Sequence, residues 1–118
     1  QEIKIDGAII VSTPQEVALL DVKRGIKMFD KLGVKIIGLV DNMSFFIGDD
    51  GKKYKIFGEG GVKKTADEFQ KEFLGEIPIN SEIGKTSDLG KPLVEINPDH
   101  EISKIYFNFA NKIKSTYL

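Results

Sequence analysis

The chain alternates short apolar runs with longer segments in which apolar residues recur at every third or fourth position. The apolar runs at residues 7–13, 34–40 and 73–79 predict three strands, and the first two have the Ile and Val content of strands buried on both faces. Helical spacing predicts helices over residues 14–32, 62–72 and 99–117. Strands that alternate with helices predict an α/β fold, in which helices cover the faces of a parallel sheet.

Local signals fix the ends of several elements. Thr13, Pro14 and Glu16 are typical of a capping box at the start of the first helix, and Gly33 is typical of its end. Two aromatic arms around a glycine-containing turn predict a β-hairpin over residues 45–57. Residues 80–98 are expected to form a loop, with a single helical turn as the open alternative.

Composition narrows the class of protein. With 118 residues, 41% hydrophobic and 30% charged, the chain has the composition of one ordinary soluble domain. Its net charge of −1 gives no net electrostatic attraction to nucleic acid or to an anionic membrane surface. It contains no cysteine, which excludes disulfides and thiolate ligation of metals by these residues. The apolar run near the start, residues 8–11, is too short to span a membrane, so we expect a cytoplasmic protein. Three strands make a thin sheet, which suggests part of a larger one.

One short motif imitates a phosphate-binding loop. Gly84, Lys85 and Thr86 match the last three positions of G-x-x-x-x-G-K-[ST], but Ile79 stands where the first glycine should be. The segment also follows Pro78 and a polar connection rather than a buried strand. We therefore expect no phosphate binding by this triplet.

Three other stretches carry a resemblance to a known family. The sequences "TPQEVALLD" at residues 13–21, "NMS" at 42–44 and "FGEGG" at 57–61 together resemble the Mrp family of P-loop ATPases, which includes iron–sulfur cluster carriers and belongs with MinD and ParA. The resemblance implies that residues 1–118 are the C-terminal half of one P-loop ATPase domain, with a β-hairpin insertion. It also implies that the Walker A loop precedes Gln1, so that this chain alone holds no catalytic residue and should not hydrolyse ATP.

The same resemblance implies a set of binding residues. Asn42 would contact adenine, and Pro78 and Ile79 would border the same base pocket. Gln15 and Asp21 would lie near a homodimer interface, where the acid can meet a lysine of the partner's phosphate loop. From the residues alone, other interpretations stay open: Asn42 as a turn former, Pro78 as a strand end and Asp21 as a solvated helix acid.

The hairpin departs from the family pattern. Many members carry a C-x-x-C pair there for a bridging iron–sulfur cluster, whereas this chain has "IGDDG" at residues 47–51. Carboxylates are poor ligands for such clusters. The resemblance implies ATP and Mg²⁺ as cofactors of the intact protein, and the missing cysteine pair puts a cluster in doubt. The lone His100 predicts no metal site.

Two classes of function are expected, the first from this resemblance. The first is iron–sulfur cluster assembly by a homodimeric ATPase that delivers to client proteins. The alternative is a MinD/ParA-like positioning ATPase half, or a non-catalytic module that binds clients through Phe45, Phe46 and Tyr54.

Overall fold

The computed structural model describes residues 4–117. In chain order its elements are β1 (Ala8–Ser12), α1 (Glu16–Leu32), β2 (Ile36–Asn42), β3 (Phe46–Ile47), β4 (Lys53–Tyr54), α2 (Gly61–Glu68), β5 (Phe73–Ile77), α3 (Ser81–Asp88), α4 (Leu93–Ile96) and α5 (Glu101–Tyr117).

Three of the strands form one parallel sheet in the order β1-β2-β5. Strand β2 is central, with Ser12 opposite Asp41 on one side and Ile77 opposite Asn42 on the other. Strands β3 and β4 pair antiparallel as a separate hairpin. The predicted α/β fold with a hairpin between two strands of the sheet is confirmed.

The two faces of the sheet are covered unequally. On one face, which we call the closed face, α1 and α2 pack Ile26, Val62 and Ala66 against Leu39. On the other, the open face, α3 and α5 pack Ile83, Ile105 and Phe109 against Val40, Leu74 and Ile77. Neighbouring residues of β2 belong to opposite clusters because side chains alternate along a strand.

The expectation that the first strand is buried on both faces is wrong for β1. Ile9 is 41% exposed and Val11 is 57% exposed, whereas Ile10 packs into the closed face. The cause is topological: β1 lies at the edge of the sheet, and α5 packs against β5. Strand β2 does have the predicted burial on both faces.

The start of α1 also differs from the expectation. The helix begins at Glu16 with Gln15 as its N-cap, and no side chain caps it. The Thr13 hydroxyl donates to the Gln15 side-chain oxygen at 2.9 Å, so the predicted capping box does not form. The predicted end is correct, since Gly33 adopts the left-handed conformation with φ of 72°.

Residues 80–98 are more helical than expected, since they contain α3 and α4. The Asn80 side chain caps α3 by accepting a hydrogen bond from the Glu82 amide at 2.9 Å. Strand β5 ends at Ile77, directly before Pro78, as the proline predicts.

Candidate functional site at the carboxyl edge of the sheet

Two backbone hydrogen bonds join the segments that follow β2 and β5. The Ser44 amide donates to the Ile77 carbonyl at 3.0 Å, and the Ile79 amide donates to the Phe45 carbonyl at 2.7 Å. Together with the pairing of Asn42 and Ile77, these bonds bring Asn42, Pro78 and Ile79 to the same carboxyl edge. All three are half-buried. This is the edge at which ligands bind in open α/β sheets, so their predicted role at a base pocket is geometrically consistent and stays a prediction.

Residues 42–44 form a tight turn, which we call the Asn42 turn. Met43 has φ of 54°, a left-handed conformation that is uncommon outside glycine. Its side chain is exposed, whereas Ser44 is buried. After the turn the chain continues alongside the end of β5, hydrogen-bonded to Ile77 and Ile79. The half-buried Asn42 stands at the end of β2, where its amide can present both a donor and an acceptor.

Asp41 is the residue of this edge that sequence reasoning missed. The strand was expected to end at Val40, but β2 continues through Asn42 and Asp41 is only 1% exposed. Its Oδ1 atom has no hydrogen-bond partner among the described residues. Burial raises the pKa of Asp41 from 3.8 to about 6; hydrogen bonding from the Ser44 side chain and the charge of Lys55 lower it, and the charge of Glu76 raises it. The sequence signal that could have pointed to Asp41 is an acid directly after an apolar run.

The other two predicted residues lie elsewhere. Gln15 is exposed at the N-cap of α1. Asp21 is exposed on α1, where its carboxylate is 3.6 Å from the guanidinium of Arg24. Both belong to the segment that follows β1, which is the edge strand opposite β5 and therefore opposite the strand that leads to Pro78 and Ile79. The structure therefore does not bring them together with the base-side residues, and their proposed place at a dimer interface stays a prediction.

The phosphate-loop imitation is part of a helix. Gly84, Lys85 and Thr86 lie within α3, and the Thr86 hydroxyl donates to the Glu82 carbonyl at 2.8 Å. A helical backbone directs its amides along the helix axis, so this segment has no cradle of amides for a phosphate. The expectation that the triplet is not a phosphate loop agrees with this geometry.

The glycines before α2 have a packing role. A Cβ atom on Gly58 would lie 2.7 Å from the Pro14 carbonyl oxygen, and Gly58 has φ of 134°. Gly60, the N-cap of α2, is left-handed with φ of 70°. These glycines let the chain pass close to Pro14 and turn into the helix.

The hairpin uses its own side chains internally. The rings of Phe46 and Tyr54 stack with centroids 5.1 Å apart, and the Lys53 ammonium lies 4.5 Å from the centre of the Phe45 ring. Asp50 accepts hydrogen bonds from the Tyr54 hydroxyl and from the Lys52 amide. Both hydrogen bonds lower the pKa of Asp50, the one from Tyr54 more than the one from Lys52. This donor set does not fit an iron–sulfur cluster, which requires thiolates.

Across residues 4–117, no three His, Cys, Asp or Glu side chains converge in a way that could hold a metal ion. Over the same span, no helix has the length and apolar character needed to cross a membrane.

Comparison with known proteins identifies the family. Residues 1–114 match the family described as NUBPL iron-transfer P-loop NTPases of the ParA group. The chain belongs to this family. It is 46% identical over 114 residues to the iron–sulfur cluster transfer protein NUBPL of Dictyostelium discoideum, covering 96% of this chain and 35% of that protein. It is 40% identical over 111 residues to the iron–sulfur cluster carrier protein of Aquifex aeolicus, covering 93% of this chain and 30% of that protein. The chain thus spans about a third of the length of these family members.

Solved structures agree with the family's fold. A nucleotide-binding protein of Archaeoglobus fulgidus in complex with ADP is 40% identical, with a TM-score of 0.66 over 80% of this chain and 39% of that one. The cell-division ATPase MinD of Pyrococcus furiosus is 21% identical, with a TM-score of 0.73 over 93% of this chain and 43% of that one. The second likeness supports the P-loop NTPase fold alone.

Proposed function

We propose that this chain supplies the base-binding side of an ATP-binding iron–sulfur cluster carrier. The observation that carries the proposal is the joined carboxyl edge, where two backbone hydrogen bonds hold the Asn42 turn against Pro78 and Ile79. The ADP bound to the similar Archaeoglobus protein supports nucleotide binding at such a fold. The names of the relatives favour cluster assembly over the positioning alternative.

The phosphate side of the site would come from polypeptide that precedes this chain in a longer protein. The sequence contains no complete G-x-x-x-x-G-K-[ST] loop, and the relatives are about three times as long. The open face at β1 supports this proposal, since the apolar residues Ile9 and Val11 are 41% and 57% exposed there. We therefore assign residues 1–118 to the C-terminal portion of one cytoplasmic ATPase domain that works as a homodimer with ATP and Mg²⁺.

In this proposal the iron–sulfur cluster is cargo that the protein carries. The chain contains no cysteine, so it offers no thiolate to hold a cluster. In place of a cysteine pair, the hairpin has carboxylate, amine and aromatic groups. Any cluster ligands of the intact protein would therefore lie outside this chain. The alternative, in which the hairpin aromatics bind client proteins, has less support, because Phe46 and Tyr54 stack on each other.

The experiment compares Asn42→Ala with Asn108→Ala in the full-length protein. We expect Asn42→Ala to weaken ADP binding about 10-fold, because a side chain that recognises the base contributes about 1 to 1.5 kcal/mol through hydrogen bonds. Asn108 is an exposed asparagine on α5, so its loss should leave the affinity unchanged. Titration calorimetry with ADP measures both, and equal affinities for the two variants would refute the assignment of Asn42.

A second measurement tests the cargo. The full-length protein is reconstituted with iron and sulfide under anaerobic conditions, and its visible absorption is recorded. A chromophore bound through residues of this chain would contradict the donor chemistry described above. A chromophore that is lost only on substitution of cysteines outside residues 1–118 would support it.

A further inference from the structure

A groove, which we call the β5 groove, runs between β5 and α5. It comprises two adjoining cavities of about 610 and 280 Å³ that share Leu74, Lys112 and Ser115. Its lining is largely apolar, and α5 adds the polar side chains of Asn111, Lys112 and Ser115 on one side of the helix. Cavities of this volume are large enough to hold a ligand or part of a peptide. None of these residues belongs to the proposed base-binding edge.

The β5 groove lies beside a free edge of the sheet. Strand β5 pairs with β2 on one side and, among residues 4–117, with no strand on the other. Such an edge offers backbone amide and carbonyl groups to a further strand. Exposed sheet edges bind extended peptides by strand addition, in which backbone hydrogen bonds give affinity and neighbouring side chains give specificity.

The Lys112 side chain occupies part of this edge. Its ammonium donates a hydrogen bond of 2.7 Å to the Leu74 carbonyl, an acceptor that an amide of an added strand can use instead. Lys112 is also the one charged side chain among the described residues that line the larger cavity. A lysine ammonium can donate more than one hydrogen bond and attracts carboxylates. The groove is therefore complementary to an extended segment that carries a carboxylate.

The core holds the two sides of the β5 groove at a fixed spacing. A Cβ atom on Gly75 would lie 2.8 Å from the Phe109 ring, so glycine lets α5 lie close to the strand. Phe109 in turn packs against the open-face cluster that contains Leu74. A segment that binds here enters a groove that is already formed, which lowers the entropic cost of binding.

We propose that the β5 groove is a docking site for an extended, carboxylate-bearing segment of a partner protein, which adds as a strand to the free edge of β5. An amide of the segment takes over the Leu74 carbonyl, and the Lys112 ammonium turns to the segment's carboxylate. This docking site does not depend on the proposed nucleotide function, because it uses neither the carboxyl edge nor polypeptide outside this chain.

The first test uses the full-length protein and the capped peptide acetyl-Thr-Val-Thr-Asp-Thr-Val-Thr-amide, with binding followed by NMR. We expect saturable shifts of the Phe73, Leu74 and Gly75 backbone amides and of the Asn111 side-chain amide. The same peptide with N-methylated backbone amides cannot donate to the strand edge, so it should bind about 10-fold more weakly, the loss of roughly one net hydrogen bond. Equal binding of the two peptides, shifts confined to other parts of the protein, or no saturable shift would each overturn the proposal.

The second test isolates the charge of Lys112. The wild-type protein should bind the aspartate peptide about 5-fold more tightly than the same peptide with asparagine, as expected of one exposed ion pair. Lys112→Met should abolish this preference, and Lys112→Glu should reverse it. Lys114→Met, at an exposed position of α5 that does not line the groove, is the matched control and should keep it. A preference that survives in Lys112→Met would contradict the role of Lys112.

The oligomeric state tests the other occupant of a free strand edge, which is a second copy of the protein. Sedimentation of the full-length protein without nucleotide should show no dimer that the aspartate peptide dissociates. Such a dimer would assign the β5 edge to a second copy and overturn the proposal. Peptide binding is also measured without nucleotide, so a failure to bind ADP would reject the proposed function and leave this docking site to be decided by the peptide measurements.

Discussion

The closed and open faces of the sheet differ in how completely this chain covers them. On the closed face, Ile26, Leu39 and Val62 have no exposed surface. On the open face, Val40 and Leu74 are buried, but Ile9 and Val11 on the edge strand are not. The same three strands therefore form a finished core on one face and an unfinished one on the other. The closed face is also where the buried acid Asp41 ends the apolar row of β2.

The largest expected effect is the loss of stability when a side chain of the closed face is shortened. Leu39→Ala should lower the free energy of unfolding by roughly 4 kcal/mol, because it empties a fully buried site. Val11→Ala, on the open face, should cost less than about 1 kcal/mol, because that side chain is already 57% exposed. Urea denaturation of the chain measures both. Similar losses would mean that the open face is covered when the chain is alone in solution.

The next effect concerns the acid on the closed face. A raised pKa means that the folded state binds the proton more tightly, so the ionised acid lowers stability above pH 6 and this cost disappears below pH 3.8. Asp41→Asn should therefore raise the free energy of unfolding at pH 7.5 by about 3 kcal/mol, with a difference that shrinks as the pH falls through 6. Denaturation at pH 7.5, 5 and 4 measures it. A stability difference that does not change with pH would contradict the raised pKa of Asp41. Asp88→Asn, at an exposed position of α3, is the control.

These faces also show what the sequence could predict. The long helices α1 and α5 and the central strand follow from apolar spacing, and the structure confirms them. The exposure of Val11 could not be predicted, because a run of Ile and Val does not distinguish an edge strand from a central one. The order β1-β2-β5 decides that question.

The remaining differences come from side chains that local rules misassign. Asp41 was missed because an acid after an apolar run is normally a strand stop, whereas here it lies buried within the strand. Helix α3 was missed because Gly84 and the glycine and proline after it are typical of a loop. Capping by Asn80 and the burial of Thr86 override those signals. The base-side residues were found through the resemblance, and their role in binding stays a prediction.

A smaller effect tests whether the open face is covered in a longer protein. Val11→Thr should change the stability of this chain by less than about 0.5 kcal/mol, as expected for an exposed position. In the full-length protein the same change should cost about 1 to 2 kcal/mol if preceding polypeptide packs on β1. Ile56→Thr, an exposed apolar residue after the hairpin, is the control. Equal small losses in both proteins would argue against that cover.

The smallest effect on stability is expected at Asp21, an exposed acid of α1. Its pairing with Arg24 is exposed and 3.6 Å long, so Asp21→Asn and Arg24→Gln should each change the free energy of unfolding by less than about 0.5 kcal/mol. The two variants should differ in assembly if Asp21 meets a lysine of a second subunit. Sedimentation of the full-length protein with ATP should then show fewer dimers for Asp21→Asn and no loss for Arg24→Gln, which breaks the same pair and keeps the acid. Identical behaviour of the two variants would leave Asp21 as a solvated helix acid, and the edge beyond β1 would have no part in the dimer through this residue.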